Sequence, residues 1–286
     1  MEKPSPKVLE AFSIDGEPVP INGGRGLCFQ AGNMVLKPSD DDQEAEWVAG
    51  LCELVMAKDP SEYRISRPIK SPHGFVFQGW TAWTLVLGRA ALEPNFGAIL
   101  KACRSFHDDL ATLYAEIPPF LAERRNRWTE ADLVTWGEKS IDDVADVNAD
   151  ILSLVNPVLR QLLRLQKELP SDIGSQLIHG DLTGNVLFDD NDLTAPPGII
   201  DITPYWRPAV FAEAIVVADG LAWHGQGQNL VEIYGTDEVH LQLLVRAMYW
   251  RCLTFAIDSD EVWVRDNWPR TDYGRAVGIM QKIMGK

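Results

Sequence analysis

Apolar positions in the first third of the chain come in short runs cut by turn residues. "INGGRG" (21–26), "LCFQAG" (27–32), "NMVLK" (33–37) and "GFVFQGWTAWTLVLG" (74–88) predict a β-rich segment from about Pro18 to Leu87. One helix interrupts it. In QEAEWVAGLCELVM (43–56), Trp47, Val48, Leu51, Leu54 and Val55 form one stripe, and the preceding "DDD" (40–42) supplies a cap and complements the helix dipole. After Gly88 the spacing becomes helical. Helices are expected over 96–117, 150–169 with Pro157 bending it, 210–223 and 239–257. Only two short strands break this second part, "NVLFD" (185–189) and "PGIID" (197–201), joined by the polar turn "DNDLTAP" (190–196). The pattern predicts an α+β chain with a small β-rich lobe over residues 1–87 and a larger, mainly helical lobe over 88–286. A cleft between lobes is the default ligand site.

At 286 residues the chain can bury a sizeable core, and its composition, 46% hydrophobic and 23% charged, is that of an ordinary globular protein. No run of 18 or more apolar residues predicts a membrane span, and the N-terminus lacks an apolar leader. Cys28, Cys52, Cys103 and Cys252 show no metal-type spacing and read as buried thiols of a reducing cytoplasm. The formal net charge of −15 argues against a general nucleic-acid binder. An acidic surface attracts cationic small molecules, although it also serves solubility.

Candidate chemistry concentrates in "IHGDLTGNVLF" (178–188). Asp181 lies on a loop, Asn185 stands four residues later just before a strand, and Asp201 ends the next strand. A hairpin of this length brings Asn185 and Asp201 to one end of the ribbon with Asp181 on the loop leading in. Two carboxylates and an amide oxygen then converge, and without a cation the like charges repel. With Mg²⁺ the oxygen set makes sense, since hard cations take a few protein oxygens plus phosphate and water. The remaining carboxylate orients an attacking hydroxyl, which is the division of labour in phosphoryl transfer.

"HGDLTGNVLF" followed by "IID" resembles the aminoglycoside phosphotransferase and choline-kinase-like branch of the protein-kinase fold. That branch has H-G-D where protein kinases have H-R-D. The resemblance implies a bilobal kinase-like fold and an ATP- and Mg²⁺-dependent kinase. It implies that Asp181 is the catalytic carboxylate and that Asn185 and Asp201 hold Mg²⁺. It also implies that His179 braces the catalytic loop rather than transferring protons.

A kinase-like site further needs a strand lysine for the nucleotide phosphates and a helix glutamate to hold it. Lys37, at the end of "NMVLK", looks like the family's lysine. Of Glu44 and Glu46, Glu44 falls in the centre of the apolar helix stripe, where a carboxylate needs a buried partner, and Lys37 is the expected one. Glu46 points away. Gly23 and Gly24 in "NGGRG" sit where the family has its nucleotide-covering loop, although a glycine-rich β-turn reads the same way. Residues 81–88 are expected to link the lobes and offer backbone bonds to the base.

His107 reads as a satisfied core histidine. Trp206 follows Asp201 and is a candidate for the acceptor pocket. Asp219 reads as a brace beneath the catalytic loop. After Asp201 the chain departs from the family's "G-D-P-x-x-D-L-A" stretch, and this segment flanks the acceptor side. The function expected is phosphorylation of a hydroxyl on a small molecule, an aminoglycoside, amino sugar or other cationic metabolite suiting the acidic chain. The expectation is a cytoplasmic monomer or homodimer with neither nucleic acid nor membrane as partner. The rival is a non-catalytic kinase-like nucleotide-binding protein.

Overall fold

The computed structural model describes residues 3–21 and 27–285. Gly23 and Gly24 lie outside the described residues. The chain opens with α1 (Pro6–Ala11), β1 (Val19–Pro20), β2 (Phe29–Ala31), β3 (Met34–Pro38) and α2 (Asp42–Met56). Then come β4 (Arg64–Ile65), β5 (Pro68–Ile69), β6 (Val76–Phe77) and β7 (Trp80–Thr84). Six of these strands form an antiparallel sheet in the order β1-β2-β3-β7-β5, with β6 also on β7. In it Lys37 stands opposite Thr81. Val8 of α1 and Phe12 just after it pack with Ala31, Leu36 and Ala82 into a small core of their own.

As the acidic run predicted, the Asp41 side chain caps α2 by accepting from the Glu44 N–H at 2.9 Å. Val48, Leu51, Cys52 and Val55 are buried, whereas Leu54 is exposed, so the buried stripe is narrower than expected. These α2 residues belong to the large core of the helical part and not to the small one under the sheet.

The helical part runs through α3 (Leu92–Leu110), α4 (Pro119–Glu123), α5 (Arg127–Thr135) and α6 (Ala149–Leu165). Strands β8 (Gln176–His179), β9 (Val186–Leu187), β10 (Gly198–Ile199) and β11 (Pro204–Arg207) follow. The chain ends in α7 (Ala209–Trp223), α8 (Gln228–Tyr234), α9 (Glu238–Ile257), α10 (Glu261–Asn267) and α11 (Tyr273–Ile283). Helix α3 ends before the expected Ile117. Its last turn is closed by the Ala111 N–H on His107 O, and Pro118 and Pro119 follow in a separate segment. Helices α7 and α9 are buried on all sides almost throughout, mostly through apolar residues, and form the centre of the large core.

The expected hairpin is present, with Ile199 opposite Val186. Two features go beyond it. Strand β10 also pairs in parallel with β4, so the early segment contributes a strand to the hairpin's sheet. Strands β8 and β11 form a second antiparallel ribbon around the hairpin, although only two strands were expected here. At four residues each, they carry too little alternation to stand out in sequence.

The connection after β7 is fastened to this hairpin. Arg89 and Phe188 exchange both backbone hydrogen bonds, and Arg89 Nε donates to Asp190 at 2.6 Å. Gly88 is required there: its φ is +133°, and a Cβ would lie 2.6 Å from Phe188 O. Among the described residues, no helix is long and apolar enough to cross a membrane.

Candidate active site

Strand β8 delivers His179, which is fully buried. Its Nε2–H donates to Ile200 O at 3.2 Å, and its Nδ1 accepts from the Asp181 N–H (3.2 Å) and the Thr203 N–H (3.4 Å). Two backbone donors on Nδ1 fix this tautomer. Burial holds the imidazole below its ordinary pKa, so it stays neutral. One ring thus ties the Asp181 loop to the strand end that carries Asp201. Behind it, His107 accepts from the His179 N–H through Nε2 (3.0 Å) and donates from Nδ1 to Cys103 O (2.7 Å). Burial pushes His107 down to about 4. Both histidines therefore occupy the structural positions expected of them. The residue between His179 and Asp181 must be small, because a Cβ at Gly180 would fall 2.3 Å from the Tyr205 ring.

The hairpin places Asn185 and Asp201 at the same end of the ribbon, as its length predicted. Asn185 O accepts from the Ile200 N–H at 3.0 Å, and Asn185 Nδ2 donates to Asp181 O at 2.7 Å. The amide nitrogen therefore faces the loop carbonyl, which turns the amide oxygen away from it. Asp201 adopts the left-handed region at φ +53°, where non-glycine residues are uncommon. Its carboxylate is ion-paired with the Lys37 ammonium, 164 positions earlier in sequence. Among the described residues, no three His, Cys, Asp or Glu side chains gather to hold a metal by themselves. The set of one carboxylate and one amide oxygen, with a lysine ammonium standing in as the cation, fits a hard ion that takes its other ligands from phosphate and water.

Glu44 does not meet Lys37 in this structure. Its Oε1 accepts from Arg124 Nη1 at 3.0 Å. Arg124 also donates to Pro204 O (2.8 Å) and Thr129 Oγ1 (3.2 Å), and its guanidinium lies 4.5 Å over the Tyr205 ring. The first turn of α2 thus faces the segment between α4 and α5, whose fixed guanidinium fork takes the carboxylate, while the lysine is drawn to Asp201. Glu46, expected to point away, uses Oε2 to accept from the Phe75 and Val76 N–H groups at 2.8 and 3.0 Å.

Asp181 has a partner that sequence reading missed. Arg251 Nη2, on α9, donates to Asp181 Oδ1 at 2.7 Å and to Asp219 Oδ2 at 2.9 Å. Arg251 is 8% exposed and its guanidinium lies 4.9 Å over Trp250. Burial raises the Asp219 carboxyl against the pull of Arg251. Asp219 is therefore a brace, acting on Asp181 through the arginine. Beside this group opens a cavity of about 210 Å³ lined by Arg251, Thr183, Asp219 and Asp258 and walled by aromatic rings. Its walls include Trp128, Trp223 and Trp263, while Trp206 packs against the core on β11 instead. The sequence signal was slight: tryptophans next to charged residues in "NRWTE" and "EVWVRD".

No protein-family model matches the sequence, and no curated protein sequence is similar to it. Solved structures do match. A microcompartment-associated aminopropanol kinase superposes with a TM-score of 0.64 at 16% identity, covering 98% of this chain and 96% of that one. The GDP complex of wild-type aminoglycoside 2'-phosphotransferase-IIIa gives 0.53 at 11%, covering 93% and 92%. A choline/ethanolamine kinase family protein from Mesorhizobium loti gives 0.51 at 16%, covering 98% and 90%. The chain thus has the α+β protein-kinase-like fold of the phosphotransferases. Within it, the structures it resembles are the small-molecule kinases, in agreement with the resemblance carried by residues 178–201.

Proposed function

We propose that the protein is an ATP- and Mg²⁺-dependent kinase that phosphorylates a hydroxyl of a small molecule. One observation supports this most: His179 and the hairpin bring Asp181, Asn185 and Asp201 together, and Lys37 reaches the same carboxylate from the sheet. Asp181 orients the acceptor hydroxyl, Asn185 and Asp201 would hold the metal, and Lys37 would turn to the nucleotide phosphates. Bound Mg²⁺ would neutralise charge on the transferring phosphoryl group. The acceptor oxygen bonds to the γ-phosphorus as the bond to the β-phosphate oxygen breaks. ADP leaves with that electron pair, and the hydroxyl proton passes to Asp181 and on to water. Residues 1–87, including Gly23 and Gly24, would form the nucleotide lobe and 88–286 the acceptor lobe, working in the cytoplasm.

ADP release from Mg·ATP tests this reading against aminoglycosides, amino sugars, plain sugars, choline-type amines and peptides, with Asp181→Asn as control. Acceptor-dependent release that vanishes in the variant is expected. A second reading, a kinase-like nucleotide-binding protein without turnover, draws on the diversion of Glu44 to Arg124. Nucleotide binding with silence across every acceptor supports that reading.

A further inference from the structure

The cavity lined by Arg251, which holds Asp181, has an unusual inventory of polar atoms. Arg251 Nε–H, Thr183 Oγ1 and Tyr273 Oη are all buried, all on residues lining it, and none completes a protein hydrogen bond. Thr183 lies near Asp219 and Tyr273 near the Trp223 indole, without normal bonding geometry. Water can serve such atoms in the free protein, but a ligand that displaces it must replace those bonds. Arg251 Nε is a donor only, so the group that meets it must be a hydrogen-bond acceptor.

The same cavity offers little to an ammonium group. Its two carboxylates are already ion-paired, Asp219 at 2.9 Å with Arg251, which it shares with Asp181, and Asp258 with Arg127. Guanidinium groups also already lie over two of its tryptophan rings. Arg127 stands 5.0 Å over Trp128 and 6.0 Å over Trp263, and Arg251 stands 5.2 Å over Trp128. The net charge of −15 therefore does not describe this site. At about 210 Å³ the cavity is also smaller than the roughly 300–1,000 Å³ that drug-sized ligands occupy.

We propose that this cavity selects a compact acceptor carrying a second oxygen function beside the hydroxyl that is phosphorylated, as a hydroxy acid or small polyol does. That oxygen accepts from Arg251 Nε–H and bonds the Thr183 and Tyr273 hydroxyls. The proposal rests on the kinase reading for turnover, but binding in the cavity can be measured without it.

The test uses the full chain with four probe sets: D-glycerate and 3-hydroxybutyrate; glycerol and erythritol; ethanolamine, 1-amino-2-propanol and choline; and kanamycin. ADP release gives kcat and KM, and tryptophan fluorescence gives binding without nucleotide. A hydroxy acid or polyol should exceed the amines and kanamycin at least about tenfold in kcat/KM, and which of the two leads identifies the oxygen's source. Thr183→Val and Tyr273→Phe each remove one oxygen. Each should raise KM for the preferred acceptor roughly 3- to 20-fold, more than it lowers kcat. Preference for an amine or kanamycin overturns the proposal, as does an unchanged KM in both variants when both still fold cooperatively. Saturable binding of a hydroxy acid or polyol that weakens in Tyr273→Phe, with no turnover of any acceptor, keeps the cavity assignment and overturns the kinase reading. If no probe binds and none is turned over, the proposal is overturned.

Discussion

The ammonium of Lys37 rests on the carboxylate of Asp201, joining a sheet strand to the left-handed residue at the end of the hairpin. Both side chains remain substantially exposed, at 43% and 36%, so the pair contributes at most about 1 kcal/mol to stability. Its value is therefore expected in function. Asp201→Ala should abolish Mg·ATP-dependent turnover, by a factor on the order of 1,000 or more, while moving the melting temperature by only a few degrees. Retained turnover in a steady-state ADP assay removes Asp201 from the metal role.

Arg251 offers a contrasting case, because it is buried between two carboxylates. Arg251→Met should lower kcat on the order of 100-fold, since Asp181 loses the donor that fixes Oδ1. It should also destabilise by about 3 kcal/mol, because Asp219 is left buried and unpaired. Arg251→Lys should recover part of the rate. Thermal melts separate the two effects, and a Lys variant no better than Met would show that the cation at this place does not matter.

Arg124 ties Glu44 of α2 to Pro204 and Thr129 of the helical part. Arg124→Met should cost about 2 kcal/mol in urea unfolding, as several acceptors lose a charged donor together. Glu44→Gln keeps a weaker acceptor for Arg124 and should raise nucleotide KM less than Lys37→Ala does. A Glu44→Gln effect as large as that of Lys37→Ala would mean that Glu44 moves to the lysine when nucleotide binds.

His107 sets a pH dependence. Its folded pKa is depressed to about 4 from 6.5, so between these values the unfolded chain binds a proton that the folded chain refuses. Its contribution is complete above pH 6.5 and is lost as pH falls toward 4, by about 3 kcal/mol over the window. His179 is lowered by burial in the same direction. The urea midpoint should therefore fall further between pH 7.5 and 4.5 for wild type than for His107→Gln. Equal acid sensitivity in both proteins would place the effect elsewhere.

Gly180→Ala should destabilise by roughly 1–3 kcal/mol and lower kcat, because the new methyl group must displace Tyr205 and with it the Arg124 stack. Unchanged melting and rate would show that the Tyr205 ring yields freely.

The sequence by itself determined what rests on short-range pattern. The cap at Asp41, the helices beginning near Ala149, Ala209 and Glu238, and the hairpin that joins Asn185 to Asp201 follow from periodicity, turn chemistry and loop length. The fold was legible because "HGDLTGNVLF" and "IID" stand at a fixed separation, and a hairpin admits few registers. Tertiary structure alone decided the partners of charged side chains. Glu44 sits in its predicted stripe, yet its carboxylate goes to Arg124, 80 positions away, because packing brings that fork closer than Lys37. Arg251 lies inside a largely apolar helix, and nothing in the local pattern singles it out; only the approach of α9 to α7 and the catalytic loop gives it Asp181 and Asp219. Coulomb attraction depends on distance in space, and a long flexible side chain satisfies it with whatever the fold places within reach. That choice is not encoded in the local pattern of the chain.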